Sequence, residues 1–278
     1  MLYITQSYAV LLTLLSNFYK EPRHNLQIDL MPDKFLLNIN LEGSMKIYQY
    51  AAIACLLFST SSFASAKNDY NSGAYKDEGA IVVKFRGFFA QTAGKQKGLP
   101  TPTTASPVAQ KHLLENGFGL ENANTVFFTD HFAAELAIGV GAYNVSRTAL
   151  GNVAANYGTG NGTASKRKHL VAVPLTFTMQ LHVAPFGAIR PYAGAGYNGT
   201  YFFSRAKEYK VGIGHGVVFQ VGADIVMTDD SLINIDIKKY SLSPKITYKS
   251  SFVGGVNSVS SKLKIDPWVF SLGLGFKL

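Results

Sequence analysis

The residues from 270 to the end of the chain alternate apolar and small or polar side chains without a break, and this pattern restricts the fold more than any other feature. Successive side chains of a β-strand point to opposite faces, so the pattern predicts a strand with one wholly apolar face. At the edge of a soluble sheet, such a face would promote aggregation. The strand therefore indicates an apolar surrounding medium. Its apolar residues are Phe270, Leu272, Leu274, Phe276 and Leu278.

The same period of two recurs through most of the chain after residue 78, and clusters of Gly, Asn, Ser and Thr interrupt it. We find no sustained helical period in this part of the chain, and therefore predict an all-β fold. The clearest internal example is the stretch 171–182, in which every second residue is apolar. The eight predicted strands are 79–91, 117–129, 131–147, 168–182, 190–204, 213–228, 231–248 and 262–278.

The predicted connections between these strands alternate in length. Short turns at one end and long loops at the other are typical of outer-membrane barrels, where they are periplasmic and extracellular respectively. Because lipid cannot hydrogen-bond an open sheet edge, the sheet must close on itself. We therefore predict an eight-stranded antiparallel transmembrane β-barrel in the bacterial outer membrane. The long connections are 92–116, 148–167, 205–212 and 249–261.

The composition excludes several other classes of protein. Charged residues make up only 15% of the chain, and its 19 Phe and 15 Tyr residues exclude a disordered protein. No apolar run approaches the roughly 20 residues of a membrane-spanning helix. The one Cys, Cys55, excludes a disulfide within the chain.

Residues 45–66 have the layout of a secretory signal peptide: a Lys, a short apolar stretch and a small-residue cleavage site that ends at Ala66. A signal peptide begins a translated chain, so we interpret Met45 as the initiator and 1–44 as a misassigned upstream extension. The barrel domain is then 67–278, and Cys55 is discarded with the signal peptide. The alternative is that residues 8–15 form an export or anchoring segment of their own.

Charged residues recur on the strand face opposite the apolar one. The interior of an eight-stranded barrel is just wide enough for side chains to fill. Buried charges must pair, because breaking such a pair costs about 3–5 kcal/mol. We predict a salt-bridged plug in the periplasmic half of the lumen; a wet lumen without a blocking role is the alternative. The predicted cluster contains Lys84, Arg86, Glu135, Arg190, Asp224, Asp236 and Lys238.

Pro174 lies in the middle of a predicted strand. Proline has no N–H group, so one hydrogen bond of the barrel wall must be missing there. We interpret this as a possible lateral opening, through which an apolar solute could pass into the bilayer. A plain packing or bulge role is the alternative.

The basic residues of the exported part include two groups near predicted long loops. They are expected at the outer rim, where they would meet the phosphates of lipopolysaccharide. A solvated rim without a specific partner is the alternative, and an exported barrel does not meet nucleic acid. The groups are 166–168 and the trio Arg205, Lys207 and Lys210.

Four stretches resemble the OmpW/AlkL family of outer-membrane barrels: 173–182, 190–198, 216–224 and 264–276. The resemblance implies an eight-stranded barrel with a hydrophobic channel for uptake of small apolar molecules. It also implies that the barrel assembly machinery recognises the C-terminal strand, although Leu278 replaces the usual terminal aromatic residue. Loop 92–116 differs from typical members, so ligand specificity cannot be carried over.

No arrangement of residues indicates catalysis, a cofactor or a metal. A Gly-rich match at 194–199 is followed by a strand rather than the helix that a dinucleotide site needs. We therefore predict a passive, non-enzymatic channel for small hydrophobic molecules. A structural or surface-interaction barrel with a plugged lumen is the second hypothesis. A soluble periplasmic barrel with its apolar face inside is the third.

Overall fold

The computed structural model describes residues 26–30, 35–39, 79–102, 109, 111–157, 168–184, 187–204, 208–253 and 258–278. Its contacts divide the chain into two units, 1–65 and 66–278. The described part of the first unit is one antiparallel pair, β1 (Leu26–Leu30) and β2 (Phe35–Ile39). The predicted signal peptide, 45–66, lies outside the described residues.

The second unit is built mainly from strands, which are joined by turns at one end and by longer segments at the other. Its elements, in chain order, are β3 (Ile81–Gln91), β4 (Lys95–Lys97), β5 (Leu114–Phe127), β6 (Phe132–Val145), α1 (Arg147–Tyr157), β7 (Lys168–His182), β8 (Ile189–Ser204), β9 (Tyr209–Val211), β10 (Gly214–Val226), β11 (Ser231–Tyr240), β12 (Lys245–Tyr248), α2 (Ser250–Val253), β13 (Val259–Lys264) and β14 (Trp268–Lys277).

Eight of these strands close into a barrel in the order β3, β5, β6, β7, β8, β10, β11 and β14. Each strand pairs antiparallel with its neighbour, and β14 pairs with β3 to complete the cylinder. The end of the chain supports this seam, because the Leu278 amide donates to the Ile81 carbonyl at 2.9 Å. The predicted eight-stranded antiparallel barrel is thereby confirmed.

Alternation along the barrel strands separates an exposed apolar face from a buried polar one. In β14, Leu272 and Leu274 are 61% and 52% exposed, whereas Ser271 beside them is buried. In β7, Phe177 and Met179 are exposed while Thr178 between them is buried. The apolar side chains therefore face outward, and the interior is polar.

The predicted strands 231–248 and 262–278 are wrong in one respect, because each is interrupted near its outer end. The chain leaves the strand conformation at 241–244 and again at 265–267. In the second break, Asp266 has a positive φ of 34°. Asp is one of the few residues that adopts this conformation readily, and the following Pro267 cannot donate a ladder hydrogen bond.

Beyond these breaks, four short strands form a second sheet in the order β4, β13, β12 and β9. Each short strand is next to a barrel strand along the chain: β4 follows β3, β13 precedes β14, β12 follows β11, and β9 precedes β10. The strands β3, β14, β11 and β10 are neighbours in the barrel in this same order. The second sheet therefore continues one side of the barrel wall at the end with the long connections. By the rule for outer-membrane barrels, that end is extracellular.

Helix α1 lies where we predicted a loop at 148–167, so that prediction is wrong over its first half. Ser146 caps the start of the helix, because its Oγ accepts a hydrogen bond from the Ala149 amide at 3.4 Å. Its buried apolar residues recur at helical spacing and join the core beneath the second sheet. Neither described helix is long and apolar enough to cross a membrane. The α1 residues in this core are Ala149, Leu150, Val153 and Tyr157.

Candidate functional site

The interior of the barrel contains a network of buried charges from five different strands. Alternation points every second side chain of each strand inward, and the closed sheet brings these side chains within reach of one another. Three cations face four carboxylates, and none of the seven residues is more than 4% exposed. The network consists of Lys84 and Arg86 on β3, Glu121 on β5, Glu135 on β6, Asp224 on β10, and Asp236 and Lys238 on β11.

Arg86 is the centre of this network. Its Nη1 and Nη2 donate to the two carboxylate oxygens of Glu135 at 2.9 and 2.7 Å. The same Nη1 also donates to Glu121 at 2.8 Å, and Nε donates to Asn234 Oδ1 at 2.6 Å. A planar guanidinium is suited to such a forked contact, which fixes geometry as well as charge. The side chain therefore connects β3 with three other strands, β5, β6 and β11.

The two lysines extend the network on either side of Arg86. Lys84 Nζ contacts Asp224 Oδ2 at 3.0 Å. Lys238 Nζ contacts Glu121 at 2.5 Å and Asp236 at 3.5 Å. Each cation thus has at least one carboxylate partner, as burial requires.

Neutral side chains satisfy most of the remaining oxygens. Gln220 Nε2 donates to Asp236 at 2.7 Å and to Glu135 at 3.0 Å. The Tyr192 hydroxyl donates to Asp236 Oδ2 at 2.8 Å, and Asn234 Nδ2 donates to Asp224 Oδ1 at 2.6 Å. Hydrogen bonds of this kind, shared among charged and neutral side chains, make a network rigid.

The structure brings six of the seven predicted lumen residues into this network. The seventh, Arg190, is directly opposite Asp224 across the β8–β10 pair, and its Nε donates to the Gly187 carbonyl at 3.3 Å. Glu121, which was not among the predicted residues, pairs with both Arg86 and Lys238. Leu120, the residue before it, is apolar and faces outward, so alternation would have placed Glu121 in the lumen.

A narrow cavity lies between this network and the outer end of the barrel, and the space in it that the centres of water-sized molecules can occupy is about 30 Å³. Glu121 is the one network residue in its lining, so it marks the boundary between the charged and apolar parts of the lumen. Most of the remaining lining is aromatic or aliphatic. The lining residues are Phe88, Leu114, Glu121, Tyr143, Ala172, Pro174, Thr200, Phe202, Tyr240, Leu242, Ile265, Pro267 and Val269.

Pro174 lies in the wall of this cavity, at an irregularity in the pairing of β6 with β7. The register runs up to the pair Ile138 and Leu175 and resumes at Gly141 and Ala172. The residues between these pairs, Pro174 included, have no paired partner across this strand boundary. On its other side Pro174 still pairs with Thr200 of β8. The pairing of the wall is therefore interrupted beside the cavity.

The extracellular sheet closes over an apolar core. Tyr209 and Tyr248 are buried there, and burial raises the pKa of both phenols above the ordinary value, so the neutral form is favoured. In the described part of the chain, no group of three His, Cys, Asp or Glu side chains is arranged to hold a metal ion. Of the predicted basic rim groups, 166, 167, 205 and 207 lie outside the described residues.

Comparison with known proteins agrees with this architecture. The model of the OmpW family matches residues 77–278. A relative named as an outer membrane protein of Rickettsia bellii is 45% identical over 204 residues, which are 73% of this chain and 82% of that protein. A second relative with the same kind of name, from Rickettsia conorii, is 42% identical over 75% of this chain and 86% of its own length.

Solved structures show the same fold at low sequence identity. The crystal structure of the outer membrane protein OprG from Pseudomonas aeruginosa aligns with a TM-score of 0.58 at 18% identity and covers 72% of this chain and 96% of that one. The solid-state NMR structure of outer membrane protein AlkL in lipid bilayers gives a TM-score of 0.56 at 18% identity, with 76% of this chain and 96% of that one covered.

Proposed function

The chain belongs to the OmpW family of outer-membrane β-barrel proteins, and from this membership we propose that it forms a narrow channel for passive uptake of small hydrophobic molecules. The cavity above the charged network carries the proposal. The free energy of an apolar molecule falls when it moves from water to an apolar lining, by roughly 25 cal/mol per Å² of apolar surface buried. The cavity is thus suited to receive apolar solutes from the extracellular side.

Lateral release into the membrane is the second part of the proposal. A solute in the cavity meets the buried network below, where at least seven charged side chains are mutually paired. Moving an apolar solute through paired charges would break contacts that are expensive to lose. The unpaired stretch of wall at Pro174, which lines the cavity, is the proposed route from the cavity into the surrounding lipid.

Replacing Pro174 with valine is expected to slow this route. The valine N–H can restore a hydrogen bond worth about 1 kcal/mol. This would lower by about fivefold the fraction of molecules in which the wall is open at the interrupted pairing of β6 with β7. The measurement is the uptake rate of an apolar fluorescent probe by cells that express each variant at equal levels. Pro191→Val, in the neighbouring strand and away from the cavity lining, is the matched control. Unchanged uptake by Pro174→Val would remove Pro174 from the mechanism.

The charged network also predicts the electrical behaviour of the channel. If it acts as a plug, the purified protein in planar lipid bilayers should give no large, steady ohmic current, because ions would have to displace the contacts around Arg86. The recordings use only samples in which the barrel stays folded in SDS without heating. An unfolded preparation then cannot explain a lack of current. A large and steady conductance would contradict the plug and favour a wet lumen.

The second candidate is a structural or surface-interaction barrel without transport. The satisfied network favours it, because a filled lumen needs no solute to explain it. Uptake by cells that express the wild-type protein, if no faster than by cells without it, would support this second candidate.

In both cases we propose a non-catalytic protein. Its proposed partners are outer-membrane lipid, lipopolysaccharide and the barrel assembly machinery, which would recognise the C-terminal strand ending at Leu278.

A further inference from the structure

The exposed face of the extracellular sheet carries six lysines, and we refer to it as the lysine face. Lys95 and Lys97 lie on β4, Lys262 and Lys264 on β13, Lys245 on β12 and Lys210 on β9. Five of the six are exposed, and Lys264 is half-exposed. The opposite face of the same strands is buried against the core that includes α1. The sheet therefore has one apolar face, turned inward, and one cationic face, turned to solvent.

The register of the sheet sets these lysines directly opposite one another. Lys262 is paired with Lys97 on one side and with Lys245 on the other, so three lysines form a row across three strands. Lys264 and Lys95 form a second pair next to this row. Residues directly opposite on one face have Cβ atoms about 4.5–5.5 Å apart, and like charges at that spacing destabilise a sheet.

Acidic side chains do little to neutralise this face. Within the ranges that the structure describes, Asp266 is the one carboxylate within ion-pair distance of any of the six, and it contacts Lys264 at 3.0 Å. The central row of Lys97, Lys245 and Lys262 has no such partner there. A row of like charges is stabilised when several anionic groups bind across it at once. The lysine face is therefore complementary to a partner with closely spaced anionic groups.

The height of the lysine face above the membrane identifies where that partner would lie. Trp268 is exposed at the outer end of β14, with Lys239 Nζ 4.9 Å from the centre of its ring. Exposed Trp residues are enriched at membrane interfaces, so Trp268 is taken to mark the outer interface. Lys264 and Lys262 precede Trp268 by four and six residues. With a strand rise of about 3.3 Å per residue, they stand at most roughly 13–20 Å farther out.

We propose that the lysine face binds the phosphate groups of lipopolysaccharide in the surrounding outer leaflet. Lipopolysaccharide carries phosphate groups on its sugars, outside the hydrocarbon, and the lysine face is the face of the sheet turned away from the buried core. Lys binds phosphate as a compact point charge, and its flexible stem adapts to the spacing of the groups. The proposal rests on the outer-membrane location and is independent of transport through the lumen.

The test uses the full-length protein in nonionic detergent, titrated with purified lipopolysaccharide. The variant Lys245→Gln/Lys262→Gln should bind about 30-fold more weakly than wild type, because each basic residue near an anionic membrane surface contributes roughly fivefold. The matched control is Lys111→Gln/Arg147→Gln, which removes the same charge from two exposed positions outside the sheet. This control should bind like wild type. Chemically dephosphorylated lipopolysaccharide should bind wild type as weakly as the intact form binds the sheet variant.

Three results would overturn the proposal. Equal losses in the sheet variant and in the control would show only a general effect of net charge. Wild-type binding that is insensitive to dephosphorylation would exclude phosphate as the ligand. Tighter binding of the soluble polyanion heparin, lost in the same variant, would identify a free polyanion instead. Lys245→Arg/Lys262→Arg, which keeps the charge, should retain binding and guards against misfolding of the glutamine variant.

Discussion

Replacing Arg86 with methionine should lower the free energy of unfolding by about 3–5 kcal/mol, the largest stability effect that we expect from a single substitution. Methionine fills a similar length but leaves Glu135 without its two guanidinium hydrogen bonds and Glu121 without one. Both carboxylates would remain buried, with Lys238 and Lys84 as their remaining cationic neighbours. Reversible urea unfolding of the protein in lipid vesicles, followed by tryptophan fluorescence, measures the change.

A matched substitution separates loss of the network from loss of an arginine as such. Arg147 is exposed at the start of α1, so Arg147→Met should leave the urea midpoint almost unchanged. Adding Glu135→Gln to Arg86→Met removes one of the stranded charges and should recover part of the lost stability. Arg86→Met with wild-type stability, or a double variant less stable than the single one, would show that the network contributes little to the fold.

Filling the cavity should abolish most of the transport. Ala172 is buried in the cavity lining, and Ala172→Trp would place an indole in the space that a solute needs. Displacing or overpacking such a group costs about 1–3 kcal/mol, so binding of an apolar probe should weaken by about tenfold or more. Uptake in cells should fall in parallel. The measurements are probe fluorescence with the purified protein and the uptake rate at matched expression.

The control for this experiment is Ala142→Trp on the adjacent strand. Ala142 is exposed on the outer surface of β6, next to the position where Ala172 points inward. A tryptophan there faces the membrane interface, where such side chains are common. Normal uptake is therefore expected. If Ala172→Trp is folded and transports as well as Ala142→Trp, the cavity is not on the route of the solute.

The barrel was predictable because its strands obey one rule along their whole length. Lipid on one side and a narrow polar lumen on the other enforce alternation, so strand number, direction and most strand limits follow from the sequence. The extracellular part obeys no such rule. The interruptions at 241–244 and 265–267 depend on how the strands pack beyond the membrane, and the helical spacing of Leu150, Val153 and Tyr157 was hidden among polar residues.

The functional site was predictable only in part, for a related reason. Alternation determines which charges point inward, and this placed Lys84, Arg86 and Glu135 on one side of the wall. It does not determine which of them meet, since contacts between the charges join residues up to 140 positions apart. Glu121 was missed because Asn122 and Asn124, at the alternate positions that follow it, are polar where the other strands carry apolar residues, and this obscures the period. The cavity could not be predicted, because its lining comes from several strands and connections at once.

The distribution of the charged network over five strands has a consequence for how this barrel is made. Lys84, near the beginning of the first barrel strand, finds its partner Asp224 only 140 residues later. A nascent sheet that still lacks β10 would bury Lys84 without Asp224, and an unpaired charge of this kind is costly inside a membrane. We therefore expect the interior charges to become paired in the same step in which β14 pairs with β3 and closes the barrel. Insertion into the bilayer is favourable only for a chain that has been delivered whole.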